Sequence, residues 1–288
     1  RVYVGTQSNG QGHETVYAQL LHDQTGLPLD SIEIVQGDSD QIGNGGGTGG
    51  SRSVTVQGMA MRATAETLIA QLCAFLDHDM DQTDTMFDAA EGVFRAPGSN
   101  VVVTLLEAAA RARAADQSAL TKATETRTLP GRSYPNGCHI AEIEIDRDTG
   151  ATRVARYTVV DDFGNLMNPR LAEGQVHGGI AQGIGQAISE HVVYDETGQL
   201  LTASFMDYGM PRADDVPFIA FHTESVPSTA NPLGMKGCGE AGTVGALAAV
   251  ANAVQDALWP LGIRQVDMPF TPARVWSYLQ QGEAIAAQ

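Results

Sequence analysis

Apolar residues recur along this chain with two periods. Val2 and Val4 alternate with polar neighbours, which predicts a strand over 1–6 running into the turn Ser8-Asn9-Gly10-Gln11-Gly12. Val16, Leu20 and Leu21 share one face of a predicted helix over 15–24, which Gly26 and Pro28 stop. Ile32, Ile34 and Val35 form a second strand, followed by a polar, glycine-rich loop over 37–51. A long helix is expected over 53–78, a short hairpin over 87–95 around Glu91-Gly92, and a helix over 105–115. Residues 116–137 are mostly polar with two prolines and read as a linker. Beyond it, 139–145 alternates, Asp148-Thr149-Gly150 turns, and 154–160 returns as a hairpin. A loop is expected over 161–169 and a helix over 173–188. That helix holds Gly174, Gly178, Gly179, Gly183 and Gly185, although an interior glycine costs about 1 kcal/mol against alanine. Close approach of a ligand or plain tight helix packing would each account for them. A further hairpin at 195–198, a strand over 218–224, a buried helix over 244–258 and a last helix from Thr271-Pro272 complete the chain. The pattern implies an α+β fold in two lobes, 1–115 and 138–288. Each is a mixed or antiparallel sheet with helices on one face.

Composition narrows the function. The 288 residues carry a net charge of −17, which argues against nucleic acid and anionic membrane surfaces as partners. No apolar run approaches the roughly 20 residues of a membrane span. Arg1 stands inside a predicted strand, as it would in a piece of a longer protein. The three cysteines have no metal-ligand spacing, and their odd number suggests a reducing, cytoplasmic compartment.

The densest chemistry is Lys236-Gly237-Cys238-Gly239-Glu240-Ala241-Gly242-Thr243, a glycine-rich turn opening into the 244–258 helix. It matches G-x-G-x-x-G literally. The lead-in, Pro227 to Pro232, is loop chemistry rather than a strand, so a dinucleotide fold is rejected. Glu240 as a catalytic acid–base group and an N-capping loop with an incidental acid both remain open at this point. Gly10-Gln11-Gly12-His13-Glu14-Thr15 leads into a helix whose free N–H groups suit an anion or a polar heterocycle. His13 reads as a satisfied loop histidine rather than a metal ligand. Gly46-Gly47-Thr48-Gly49-Gly50-Ser51-Arg52-Ser53 combines backbone N–H groups, hydroxyls and an arginine in a phosphate nest. It lacks the Gly-Lys-Ser/Thr of a Walker A loop. A hydrolase is disfavoured: there is no G-x-S-x-G elbow, and no histidine stands near Cys238 in sequence.

Taken in order, these motifs resemble the C-terminal part of the molybdopterin-binding large subunit of the molybdenum hydroxylases, the xanthine oxidase group, and especially its aerobic carbon monoxide dehydrogenase-type subunits. Val4-Gly5-Thr6-Gln7, Asp148-Thr149-Gly150, Asn168-Pro169 and Gly174-Gln175-Val176-His177-Gly178-Gly179 belong to the same pattern. The resemblance implies a molybdopterin cytosine dinucleotide cofactor carrying molybdenum. Gln11, Gly12 and Gln175 would meet the pterin, and Thr48, Ser51, Arg52 and Ser53 the pyrophosphate region. His13, Thr15, Gly49, Lys236 and Gly239 would complete the cofactor-binding set. The metal would be held by the cofactor's dithiolene, with no protein ligand. Glu240 matches the family's glutamate beside the metal, which takes a proton from a molybdenum-bound hydroxyl attacking a small-molecule substrate. The family further implies an upstream part of the large subunit, iron–sulfur and flavin (FAD) partner subunits, and an oligomer. The isolated chain is then expected to be inactive and empty, with a mobile loop over 43–50. The competing expectation is a non-catalytic cofactor-binding or assembly subunit that retains the loops.

Overall fold

A computed structural model describes residues 1–43 and 45–286; Asn44 of the glycine-rich loop lies outside them. The chain forms two compact units. The first comprises Arg1–Ser133 with Pro227–Gly237, and the second Tyr134–Val226 with Cys238–Gln288.

In the first unit β1 (Val2–Tyr3) pairs with β2 (Ile34–Val35), Val2 opposite Ile34. The pair is parallel, where hairpins elsewhere had favoured antiparallel pairing, because α1 (His13–Thr25) serves as the crossover between them. Helix α1 ends at Gly26, whose left-handed φ of 65° closes the C-cap. A Cβ there would stand 2.6 Å from Gly92 Cα, so the two glycines make one close backbone crossing. The long helix α2 (Ser53–Asp79) packs on α1, and β3 (Met86–Asp88), β4 (Val93–Arg95) and β5 (Val102–Thr104) form an antiparallel sheet. Helix α3 (Leu105–Ala114) starts with a Thr104–Glu107 capping box. Leu72, Phe75 and Leu76 of α2 close a core with Phe94, Val103 and Ala108.

In the second unit β6 (Asn136–Ile145) and β7 (Thr152–Asp162) form the expected hairpin, with an irregularity at Glu142/Ile143. β8 (Ile219–Thr223) adds parallel to β7, giving a mixed sheet. The strand β7 runs through Asp161 and Asp162, which pattern reading assigned to a loop; two acids in succession hid a strand end whose pairing is long-range. The expected hairpin at 195–198 forms as a short one: Tyr194 bridges Leu200, the Asp195 N–H donates to the Gln199 carbonyl at 3.0 Å and the Leu201 N–H to the Val193 carbonyl at 2.8 Å, and the Asp195 carboxylate accepts from the Thr197 and Gln199 N–H groups. Helices α4 (Pro169–Ile188), α5 (Ala241–Leu258) and α6 (Pro272–Ala286) follow, and α5 lies on both α4 and β6. Tyr157, Val176, Ile180, Val250, Val254 and Phe270 are fully buried in the core they share. No helix among the described residues is long and apolar enough to cross a membrane.

Candidate functional site

Ten of the predicted site residues fall in the first unit: Gln11, Gly12, His13, Thr15, Thr48, Gly49, Ser51, Arg52, Ser53 and Lys236. The loop over 5–12 and the glycine-rich loop over 45–50 are knitted together there. Thr48 Oγ1 accepts from the Gln7 N–H at 3.0 Å and donates to the Gln7 carbonyl at 2.6 Å. The Gly47 N–H donates to the Gly5 carbonyl at 3.1 Å, and a Cβ on Gly45 would stand 2.4 Å from the same oxygen. Thr48 therefore braces the cradle. Around Gly46, Gly47, Gly49 and Gly50, by contrast, an added Cβ would meet nothing within 4 Å.

Two helix heads face this loop system without side-chain caps. Helix α1 is N-capped by Gly12 in the left-handed region, φ 75°, and α2 by Arg52; neither has a side-chain cap bond. Uncapped N–H groups beside an arginine and an open glycine loop are the makings of a site for an anionic group. Ser51 holds a left-handed φ of 52°, costly for a residue with a Cβ. Gly237 packs on it so closely that a Cβ would stand 1.4 Å from the Ser51 carbonyl oxygen. The turn before Gly237 is fastened by buried Asn231, whose amide donates to the Met235 carbonyl at 2.8 Å and whose oxygen accepts from the Leu233 N–H at 3.2 Å.

His13 is not a loop histidine. It is the first residue of α1, 1% exposed, and its Nδ1 is buried without a partner. Burial lowers its pKa, and Gln36 partly offsets this. Two amides that sequence reasoning missed position the loop. Gln36 accepts from the Ser8 N–H at 3.0 Å and donates to Glu14, while Gln57 accepts from the Gly5 N–H at 3.1 Å. A lone glutamine on a polar stretch carries no signal of this kind. Gln11 accepts from the Asn9 N–H, holding its amide over its own turn.

The other three predicted residues, Gln175, Gly239 and Glu240, lie in the second unit. Asn168 N-caps α4, accepting from the Leu171 N–H at 3.0 Å, with Pro169 as its first residue. The glycines of α4 have separate causes. A Cβ on Gly179 would stand 2.9 Å from the Thr243 nitrogen, and one on Gly183 2.6 Å from Ala246 Cβ, so both serve tight packing on α5. Gly174 and Gly178 meet nothing within 4 Å. Thr243 Oγ1 reinforces the contact by donating to the Gly179 carbonyl at 3.0 Å. Glu240 is the N-cap residue of α5 and is exposed; its carboxylate makes no cap bond. Burial pushes the Cys238 thiol up to about 11, against the lower range of a reactive cysteine. No group of three or more His, Cys, Asp or Glu among the described residues could hold a metal ion. A cavity of about 680 Å³ lined by Arg153, Phe205, Met206, Met210 and Arg212 contains none of the predicted site residues.

The chain belongs to the molybdopterin cofactor-binding domain family, whose model matches residues 1–217. It is 33% identical over 282 residues to the carbon monoxide dehydrogenase large chain of Hydrogenophaga pseudoflava, covering 96% of this chain and 35% of that protein. It is 35% identical to the 6-hydroxypseudooxynicotine dehydrogenase complex subunit gamma of Paenarthrobacter nicotinovorans, covering 97% and 36%. The structure superposes on the reconstituted CO dehydrogenase from Oligotropha carboxidovorans with a TM-score of 0.87 at 34% identity, over 98% of this chain and 36% of that one. The chain thus spans about a third of the length of the curated relatives it matches.

Proposed function

We propose that this chain is the part of a molybdenum hydroxylase that holds molybdopterin cytosine dinucleotide and supplies the general base for oxidative hydroxylation of a small substrate. The residues fit the group: the uncapped heads of α1 and α2, the open glycine loop and Arg52 form a cradle for an anionic, ring-bearing cofactor. Bound there, the cofactor would supply the two-electron redox chemistry of an oxidative hydroxylation that takes its oxygen from water. Arg52 and the α2 head bind phosphate, with Ser51, Ser53 and Gly49 beside them. Thr48 acts by bracing the loop. Gln11 and Gln175 offer both donor and acceptor to a heterocycle edge. Gly12, His13 and Thr15 form the α1 head, and Lys236 and Gly239 flank the catalytic turn. Glu240 takes a proton at its carboxylate.

The observation that most supports this reading is the placing of Glu240 as the exposed N-cap residue of α5, directly after the glycine-rich turn. Removing a positioned general base costs about 10²–10⁴-fold in rate. Glu240→Gln in the full protein and its natural assembly is therefore expected to lower turnover at least ~10²-fold, with molybdenum and pterin content unchanged. Turnover near that of the parent would instead favour the cofactor-binding or assembly subunit.

The names of the relatives, a large chain and a complex subunit, support a place in a multisubunit enzyme; iron–sulfur and flavin modules would then lie on other polypeptides. Phe205, Met206 and Phe218 are 78%, 93% and 88% exposed, apolar surface of the kind that further polypeptide covers.

A further inference from the structure

Behind the turn that carries Glu240 lies a polar cluster that the reading above does not use. His139 on β6 faces Tyr157 and Asp161 on β7. Its Nδ1 is 2.9 Å from the Tyr157 hydroxyl and its Nε2 is 3.3 Å from Asp161 Oδ1. The His139 and Asp161 side chains are 8% and 3% exposed, and Tyr157 is fully buried. Nδ1 and the tyrosine hydroxyl share one hydrogen bond, and Nε2 is within ion-pair reach of the carboxylate. Burial, first, and then Asp161 raise the Tyr157 pKa strongly, which keeps that hydroxyl a donor. The result is a buried polar cluster in which one hydrogen bond joins Tyr157 to His139 and the Asp161 carboxylate stands beside the other ring nitrogen.

The cluster also meets backbone on two sides: His139 meets α5, and Asp161 meets β6. A Cβ on Gly245 would stand 2.5 Å from three atoms of the His139 ring, so α5 lies flat on the imidazole one turn past Glu240. A Cβ on Gly137 would stand 2.0 Å from Asp161 Oδ1, which confines the carboxylate from the other side. The second oxygen, Oδ2, is buried without a partner; burial first, and this carboxylate after it, raise the pKa of the Cys238 thiol, two residues before Glu240. Retaining a buried carboxylate with one unsatisfied oxygen is costly. Plain sheet packing would be served as well by apolar residues of similar volume.

We propose that Tyr157, His139 and Asp161 are positioning residues: a buried polar cluster that seats the start of α5 and so fixes Glu240. The proposal rests on Glu240 being the base, and the test separates the two. Tyr157→Phe deletes one hydrogen bond and keeps the ring. Gly245→Ala keeps all three side chains and displaces the imidazole. In the full protein and its natural assembly, the readouts are kcat and KM separately, together with iodoacetamide labelling of each cysteine resolved by peptide mass spectrometry at pH 8. Both variants are expected to lower kcat about 10-fold at unchanged KM, and to raise Cys238 labelling about 10-fold while Cys73 and Cys138 change less than about twofold. The labelling needs neither cofactor nor turnover. Unchanged kcat and unchanged Cys238 labelling in Tyr157→Phe, with Glu240→Gln still impaired, would overturn the positioning role alone. If Glu240→Gln is unimpaired, the reading of Glu240 fails, and the Cys238 labelling still decides whether the cluster seats the turn. Should Gly245→Ala not fold, Tyr157→Phe alone decides the question.

Discussion

Two glycine-rich regions of this chain look alike in sequence and are physically opposite. Before α2, Gly46, Gly47, Gly49 and Gly50 border open space. Along α4 and at the head of α5, Gly179, Gly183 and Gly242 are filled by protein: a Cβ on Gly242 would stand 2.4 Å from the Val176 carbonyl oxygen. One set leaves room for a ligand, and the other lets two backbones meet. Glycine content alone marks close approach; only packing tells what approaches.

The contrast is broken most forcefully at Gly237. Its Cβ position overlaps the Ser51 carbonyl, a backbone atom that cannot rotate away. Gly237→Ala is expected to cost at least about 3 kcal/mol in chemical denaturation, the upper range for overpacking. Gly242→Ala follows at about 1–3 kcal/mol, since Val176 and Ile180 can yield by a small helix shift. A parental denaturation midpoint in either variant would show that these glycines are not tightly packed.

His13 gives a smaller, pH-dependent effect on the open side. Its folded pKa lies below the ordinary 6.5 because burial disfavours the charged form. The unfolded chain therefore binds a proton first. The stabilisation is fully present above 6.5 and is lost as pH falls toward the folded value. His13→Gln should flatten the decline in stability just below pH 6.5, seen as a shallower fall in Tm between pH 6.5 and 5. An identical decline in both proteins would place the acid sensitivity elsewhere. The smallest effect is expected at Gly49, which has open space and an ordinary φ. Gly49→Ala should change stability by less than about 1 kcal/mol, in the favourable direction, by restricting the unfolded chain. The same variant should lower cofactor content of the natural assembly if the loop holds phosphate. Unaltered content would remove Gly49 from the cradle.

Much of this architecture was legible because it is local. The long helix, now Ser53–Asp79, and the hairpin turning at Asp148-Thr149-Gly150 follow from periodicity and turn chemistry. Parallel pairing of β1 with β2 and of β7 with β8 was not legible, since no short-range signal encodes which edge a distant strand joins. The same holds for the site. Glycines and Arg52 announce themselves, and Glu240 stands out at a helix head. Gln36, Gln57 and Asn231 act through hydrogen bonds to backbone far off in sequence or within a tight turn, and their residue types alone do not reveal it. His139, Tyr157 and Asp161 were read as ordinary strand and loop positions, because their meeting depends on strand register.

The first unit is not a continuous stretch of gene. Pro227–Gly237 is encoded well downstream of Ser133, yet it supplies the Leu233 methyl that would stand 2.9 Å from a Cβ on Gly58, and the Gly237 backbone against Ser51. A recombination point after Ser133 would pass on helices, sheets and glycine loop while leaving behind the eleven-residue clasp that closes on them. Exchange between relatives that preserves this unit must take both segments, so shuffling can work only on larger blocks than the spatial units suggest.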